Sequence, residues 1–428
     1  MRHAPISSKL FASNRNRLVK KLARGSVAFV NANDVPEKNA DGTLMMEPSS
    51  DLFYLTGIEQ EESILVLAPN PFDPKMREVL FMREPSEHLK IWEGHKLSKE
   101  EASKISGIKE VKWLSEFDLV FRSLMCESQH VYLNTNEHRR ATDVVETRDL
   151  RFIREVQRKF PLHDYRRLAP ILHELRPVKS KAEVDLIKKA CGITRDGFHR
   201  VLKFVKPGVN EMEVEAEFAH EFIRNGANFA YTPIIASGEN SCVLHYLQND
   251  QVCQDGDVLL LDVGSAYANY NSDMTRTIPV SGKFTKRQKQ VYKSVLRVTR
   301  EMIKRSTVGK GLRDWQKEAE KLIEEELLKL GLITKTDIKK QPKDRPALKK
   351  YFMHGLGHSM GLDVHDVNPV NAKLAEGWVM TVEPGIYIPE EGFGIRLEND
   401  ILVTKKGPID LMGDIPIDPD EIEDLMAG

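Results

Sequence analysis

Between Tyr351 and Asp400 the chain gathers His354, His358, His365, Glu383, Arg396 and Glu398 among glycines and short apolar runs. Imidazoles and carboxylates in such density suit the binding of a metal ion. His354-Gly-Leu-Gly-His358 has the histidine spacing of a zinc-binding helix. That motif, however, needs a glutamate directly after the first histidine, and Gly355 and Gly357 oppose a helix. The histidines are therefore expected on a loop or strand end, with carboxylates arriving later in the chain.

Those carboxylates come with a readable geometry. Val379-Met-Thr-Val382 runs apolar into Glu383, and Pro389-Glu-Glu-Gly392 has turn chemistry. Ile395, Leu397, Ile401 and Val403 then share one face, with Arg396 and Glu398 on the other. A hairpin turning between Glu390 and Glu391 places Glu383 opposite Glu398, with Cβ atoms about 5 Å apart. An earlier stretch repeats the arrangement: Asp257-Val-Leu-Leu-Leu261 leads into Asp262, and a loop centred on Tyr267-Ala268 puts Asp273 opposite it. Four buried carboxylates without counter-charge would protonate rather than stay ionised. Two divalent cations about 3.5 to 4 Å apart would cancel them and share bridging ligands, as in two-metal hydrolases. Four carboxylates and one imidazole form a hard to borderline set, which points to manganese, cobalt or zinc.

With these residues in view, Leu261-Asp-Val-Gly264, Asp273-Met-Thr-Arg-Thr277, His354 through Asp366, Thr381-Val-Glu-Pro-Gly385 and Arg396-Leu-Glu-Asn-Asp400, together with Ser237-Gly-Glu-Asn240 and His245, resemble the signature of the Xaa-Pro aminopeptidase (aminopeptidase P) family. The catalytic domain of that family has the pita-bread fold shared with methionine aminopeptidase, prolidase and creatinase. The resemblance implies an α/β N-terminal domain over 1–175 and an α+β pita-bread metallopeptidase domain over 176–428, with an internal pseudo-twofold repeat.

It also implies roles. Asp262 would be a bidentate ligand of one metal, Asp273 and Glu398 the bridging carboxylates, and His358 and Glu383 the ligands completing the other metal. His354 would be a near neighbour rather than a ligand. His245 and His365 would hydrogen-bond the substrate and stabilise the tetrahedral intermediate, and Arg396 would support the ligands from behind. Trp92 matches a tryptophan that in some members reaches the active site of a neighbouring subunit; an ordinary half-buried tryptophan is the alternative.

The implied cofactor is two divalent ions per subunit, manganese first, with cobalt or zinc as alternatives. A hydroxide between the ions would attack the first peptide carbonyl, with Glu383 carrying the proton to the departing nitrogen. The implied substrate is a peptide with proline at its second position, and the implied assembly is a homo-oligomer, dimer or tetramer. Prolidase uses the same ligands on dipeptides. Methionine aminopeptidase fits less well because so large an α/β domain precedes the catalytic half. Catalytically silent pita-bread modules characteristically lack a ligand, whereas all five are present here.

The remaining chain must position these groups. With 428 residues, 63 basic and 64 acidic, it is long enough for two or three domains and carries a net charge of -1, which offers no attraction to nucleic acid or an anionic membrane. Cys126, Cys191, Cys242 and Cys253 form no close pair, as expected for free thiols in a reducing, cytoplasmic setting. No apolar run is long enough to span a bilayer.

Arg2, Lys9, Arg15, Arg17, Lys20, Lys21 and Arg24 precede the first acid, Asp34, a pattern that a mitochondrial leader would share. The preferred reading is a first helix with Phe11, Leu18 and Leu22 packed on the domain and a solvated basic face. From Ser26 to about Leu175, apolar runs at 27–30, 64–68, 79–82 and 131–133 alternate with helical patterns such as Arg139 to Phe160, which reads as an α/β domain.

After Arg176-Pro177, Ser180 and Glu183 form a capping box and Asn210 caps a second helix; a Thr285-capped helix and one over 312–330 follow. Helix, turn, helix, hairpin thus occurs twice. Lys339 to Arg345 reads as a solvated loop, and His173 and His220 have no convergent partners.

Overall fold

The four apolar runs of the N-terminal part, with two further strands that carry no such run, form a six-stranded mixed sheet in the computed structural model, which describes residues 3–142, 144–342 and 344–428. Its order is Glu110–Trp113, Glu78–Met82, Ile64–Leu67, Ser26–Asn31, His130–Leu133, Asp164–Arg167. The strand Ser26–Asn31 is buried at every position, antiparallel to Ile64–Leu67 and parallel to His130–Leu133. A strand covered on both faces needs an unbroken apolar run, and Val27 to Val30 supplies it. Phe29, Phe81, Phe121 and Val156 lie in the core beside this sheet, with Phe117 and Phe152 packed against them.

The structure corrects four local expectations. The helix expected from Arg139 spans Arg148–Lys159 and begins at Thr147, whose hydroxyl accepts the Leu150 N–H at 3.3 Å. Before it, Val144 and Val145 are exposed and give a helix nothing to pack on; Asp143 lies outside the described residues. The first helix, Ser8–Val19, does bury Leu10, Phe11 and Leu18, but its basic face is not all solvated. Arg15 is buried, with Nε 3.0 Å from Glu78 and Nη1 donating to the Leu55 and Ser106 carbonyls at 2.7 and 3.0 Å, a set of acceptors that replaces its water. Trp92, on the helix Glu87–Glu93, is 75% exposed, so the half-buried alternative is wrong. The stretch read as loop from Lys339 starts inside a short helix, Lys335–Lys340, capped by Thr334; Lys343 lies outside the described residues.

Residues 4–176 form one unit and His3 with 177–428 a second. In the second, helix Lys181–Phe204 starts at a capping box of Ser180 and Glu183, and helix Glu211–Arg224 at one of Asn210 and Glu213. The two approach closely at Gly197, where a Cβ would stand 2.8 Å from Phe218 Cδ1. Strands Ile234–Ser237, Val258–Asp262 and Thr275–Pro279 follow as one antiparallel sheet. Helices Lys286–Arg305, with a capping box of Thr285 and Gln288, and Leu312–Lys329 then precede a second strand group, Val379–Val382, Gly385–Ile388, Phe393–Arg396 and Asn399–Leu402. The order of helix pair then hairpin is therefore repeated along the chain.

Register decides where the acids fall. In the second hairpin Val382 pairs with Asn399 and Gly385 with Arg396. Glu383 and Glu398 are thus bracketed by ladder pairs and face each other. In the first hairpin the expected pairing of Asp262 with Asp273 is wrong: Asp262 pairs with Thr275, and Tyr267 with Tyr270. The cause is the turn. Ala268 and Asn269 take φ of 52° and 63°, a two-residue left-handed turn one residue later than the expected centre, which shifts the partner by two. Asp273 is therefore a diagonal neighbour of Asp262 on the same face. Gly264 makes room for the crossing, since a Cβ there would lie 1.9 Å from the Ser272 carbonyl oxygen.

Candidate metal centre

Strand ends deliver the acids to one place. Asp262 closes the strand Val258–Asp262 and Asp273 precedes Thr275–Pro279; Glu383 follows Val379–Val382, and Glu398 lies between Phe393–Arg396 and Asn399–Leu402. His358 arrives on a loop. Its Nε2 lies 3.5 Å from both Asp273 Oδ2 and Glu383 Oε1, and ligand atoms of Asp273, His358 and Glu398 lie within 4.8 Å of one another. The loop is pinned to the strand beneath it: His358 N–H donates to Thr381 Oγ1 at 3.1 Å, and Thr381 N–H to the His358 carbonyl at 2.9 Å.

A fifth group joins the acids. The Tyr231 hydroxyl lies 2.6 Å from both Asp262 Oδ1 and Asp273 Oδ1, yet it has one hydrogen to give. Glu398 Oε2 accepts from Thr275 Oγ1 at 2.6 Å, while its Oε1 is buried without a partner. The cluster therefore holds more acceptors than donors, and cations fit that deficit.

The protonation behaviour agrees. Burial, then the charges of Asp273, Glu383 and Asp262, pushes the Glu398 carboxyl well above the usual range. Burial also raises Asp262, aided by Asp273 and opposed by Arg396. Burial moves Glu383 up to about 7, with His358 opposing and Asp273 adding. His358 moves the other way from an ordinary buried imidazole. Burial lowers it, but the Asp273 bond and the charges of Glu383 and Asp273 outweigh that and bring it up to about 9. Protons thus stand in for missing positive charge, and a divalent ion would displace them.

The supporting groups are buried and specific. Arg396 donates through Nη2 to Asp262 Oδ2 at 2.6 Å, through Nη1 to the Tyr387 hydroxyl at 2.9 Å and through Nε to Thr275 Oγ1 at 3.2 Å. His354 Nε2 lies 2.8 Å from the Tyr387 hydroxyl and its Nδ1 2.7 Å from the Gly355 carbonyl. Burial and the Arg396 charge lower His354 to about 3, so it is neutral, and its Nδ1 is 4.0 Å from Glu383 Oε2. Asp400 is buried and accepts the Asp273 N–H at 3.0 Å. Arg276, also buried, donates through Nε to the Pro416 carbonyl at 2.8 Å and through Nη1 to that of Glu398 at 2.7 Å.

The structure brings Asp262, Asp273, His358, Glu383 and Glu398 together, with His354 and Arg396 behind them. His365 stands beside His358, ring centroids 4.3 Å apart and perpendicular. His245 is exposed yet near enough to add its charge to those acting on His354, and Trp92 belongs to the N-terminal unit. Tyr231 and Tyr387 went unnoticed in the sequence, and Thr275, Thr381 and Asp400, though inside the quoted motifs, were given no role. Each of these three had a signal, lying on a strand two residues from Asp273, Glu383 or Glu398; the two tyrosines are isolated side chains without period. Among the described residues no helix is long and apolar enough to cross a membrane.

Carboxylates on two hairpins and one imidazole on a loop, together short of positive charge, form a candidate divalent-metal centre. The sequence profile of metallopeptidase family M24 matches residues 185–405, and that of the aminopeptidase P N-terminal domain residues 11–132. The chain is 35% identical to Xaa-Pro aminopeptidase of Escherichia coli (strain K12), covering 99% of this chain and 98% of that protein. It is 31% identical to Xaa-Pro aminopeptidase 3 of Homo sapiens, covering 99% and 86% respectively. The structure of aminopeptidase P from E. coli with the inhibitor Pro-Leu superposes with a TM-score of 0.87 at 33% identity, covering 99% of both chains. The chain belongs to the Xaa-Pro aminopeptidase (aminopeptidase P) family of metallopeptidases, with the N-terminal domain and pita-bread catalytic domain of that family.

Proposed function

We propose that the protein removes the first residue from peptides that carry proline at the second position, using two divalent ions, manganese first. The observation that carries this reading is the convergence of Asp273, His358 and Glu398 within 4.8 Å around a buried, unpartnered carboxylate oxygen. Asp262, Asp273, His358, Glu383 and Glu398 would hold the ions, with Asp273 and Glu398 shared between them. Bound there, the ions supply activation of water and polarisation of the scissile carbonyl.

The chain's own residues do the rest. Glu383 is the proton carrier to the departing nitrogen: its side chain is 20% exposed against 7% for Asp273, which leaves it the face open to substrate. His365, packed edge-on against His358, and His245, exposed at the surface, donate hydrogen bonds to the substrate and to the oxyanion that forms at its carbonyl. Arg396, held by Tyr387, fixes the orientation of Asp262. Specificity for proline is supported by the Pro-Leu inhibitor bound to the E. coli relative. The exposed Trp92 supports a homo-oligomer, dimer or tetramer, in which the ring meets a second subunit. Free thiols at Cys126, Cys191, Cys242 and Cys253 support a cytoplasmic setting.

The test is a cleavage panel on protein stripped and reloaded with manganese, cobalt or zinc. Xaa-Pro-Yaa tripeptides should be cut at the first bond and Xaa-Ala-Yaa peptides spared. Cleavage confined to Xaa-Pro dipeptides would replace this reading with a prolidase, and no cleavage with any ion would overturn it.

A further inference from the structure

Lys179 and Asp366 form an ion pair that no step of this reaction uses. The ammonium lies 2.8 Å from Asp366 Oδ2, and each side chain is 1% exposed. Taking two charges out of water commonly costs as much as their attraction returns, so such a pair is a weak source of stability. What distinguishes this one is the backbone it holds. Lys179 N–H donates to the Gly377 carbonyl at 2.9 Å and Val178 bridges Trp378, which ties the lysine to the segment leading into Val379–Val382 and Glu383.

Asp366 closes a loop on the other side. Its N–H donates to the Ser359 carbonyl at 2.8 Å, and its Oδ1 accepts the Val367 N–H at 2.9 Å. His358 and His365 stand at the two ends of that loop. The loop lies directly on the pair: a Cβ at Gly361 would sit 2.4 Å from Asp366 Oδ2 and 2.8 Å from Lys179 Nζ. Its far side is held by Asn271, whose N–H and Nδ2 donate to the Gly361 and Leu362 carbonyls at 2.9 and 3.0 Å. With that side fixed, the ion pair sets how the His365 end is placed.

We propose that Lys179 and Asp366 are positioning residues for His365, clamping the base of its loop so that the imidazole is presented to substrate beside the metal centre. The inference rests on the reading of His365 as a substrate-binding group. It is tested by a double-mutant cycle on metal-loaded protein with an Xaa-Pro-Yaa peptide. Lys179→Met with Asp366→Leu removes both charges; should that variant fail to fold, Asp366→Asn, which keeps the shape and the Val367 bond, carries the same cycle.

The expected result is a fall in kcat of about 10²-fold, the cost of misplacing a catalytic contact by about 1 Å, with metal content retained and KM little changed. In a His365→Ala background the same change should have no further effect on kcat. If His365→Ala alone leaves kcat unaltered, the reading of His365 is wrong and the inference falls with it. If His365→Ala lowers kcat but the pair replacement lowers it equally in both backgrounds, the positioning role alone is wrong. Loss of metal in the pair variant would show that the loop acts through His358, which also overturns it.

Discussion

Gly357 offers the sharpest test of how the centre is built. A Cβ at this position would lie 2.1 Å from the Thr381 carbonyl oxygen, 2.9 Å from its carbon and 3.0 Å from Thr381 Oγ1. Cβ atoms essentially never approach closer than 3.0 Å, so in Gly357→Ala the loop and the strand must part by about 1 Å. The neighbouring contacts, His358 N–H to Thr381 Oγ1 at 3.1 Å and Thr381 N–H to the His358 carbonyl at 2.9 Å, are those that fix the imidazole. Overpacking of this kind costs about 1–3 kcal/mol, and a displacement of about 1 Å at a catalytic group costs about 10²-fold in rate. Gly355→Ala is the internal control. It lies in the same run of residues, but its Cβ would meet only Gln316 Oε1 at 3.8 Å. Peptide cleavage, thermal melting and metal content measured on both variants should separate them, with Gly357→Ala impaired and Gly355→Ala close to the parent. Wild-type activity in Gly357→Ala, or equal damage in both, would refute the reasoning.

Asp273→Ala and Glu398→Ala should each lose metal and activity together, as read by elemental analysis and peptide cleavage; full activity in either removes the bridging assignment. His245→Ala and His365→Ala should lower kcat by about two to three orders of magnitude while metal content persists, and metal loss would show that ligands and substrate contacts have been confused. In protein stripped by chelator, Glu383 stands at about 7 against 4.5 and His358 at about 9 against 6.5. Both are raised on folding, so the folded state binds the extra protons. The Glu383 contribution is complete below pH 4.5 and lost as pH rises through 7, and that of His358 is complete below 6.5 and lost through 9. Below about pH 7 the neutral His354, lowered to about 3, works against this loss, so thermal melts of stripped protein should fall between pH 7 and 9, where only the His358 contribution is being lost. Reloading with manganese should flatten the trend, and stability of the stripped form that rises with pH over that range would contradict it.

What could be read in the sequence depended on how locally each feature is encoded. The helix starts at Ser180, Asn210 and Thr285 were legible because a cap and its partner three residues on form a self-contained signal. The facing of Glu383 and Glu398 was legible because Pro389 to Gly392 is a turn by composition and fixes the count on both arms. The first hairpin failed at that step. Ala268 and Asn269 form its left-handed turn without a glycine, so nothing in composition marked the centre, and a shift of one residue there moved the partner of Asp262 by two. Arg15 failed for a different reason. Burial of a guanidinium needs carbonyls from Leu55 and Ser106, which are not written near the residue. Tyr231 bridges Asp262 and Asp273 from a separate segment, and only the folded chain shows it.

The position of Arg276 has a consequence for how the protein comes into being. Its guanidinium links the Glu398 carbonyl, behind a candidate ligand, to that of Pro416, so one strand made early is stitched at a buried cation to two segments made late. Synthesis delivers these parts in sequence, so the strand that carries Arg276 waits 140 residues for the last of its acceptors. The backing of the candidate ligands thus depends on closure over long stretches of chain rather than on any local element.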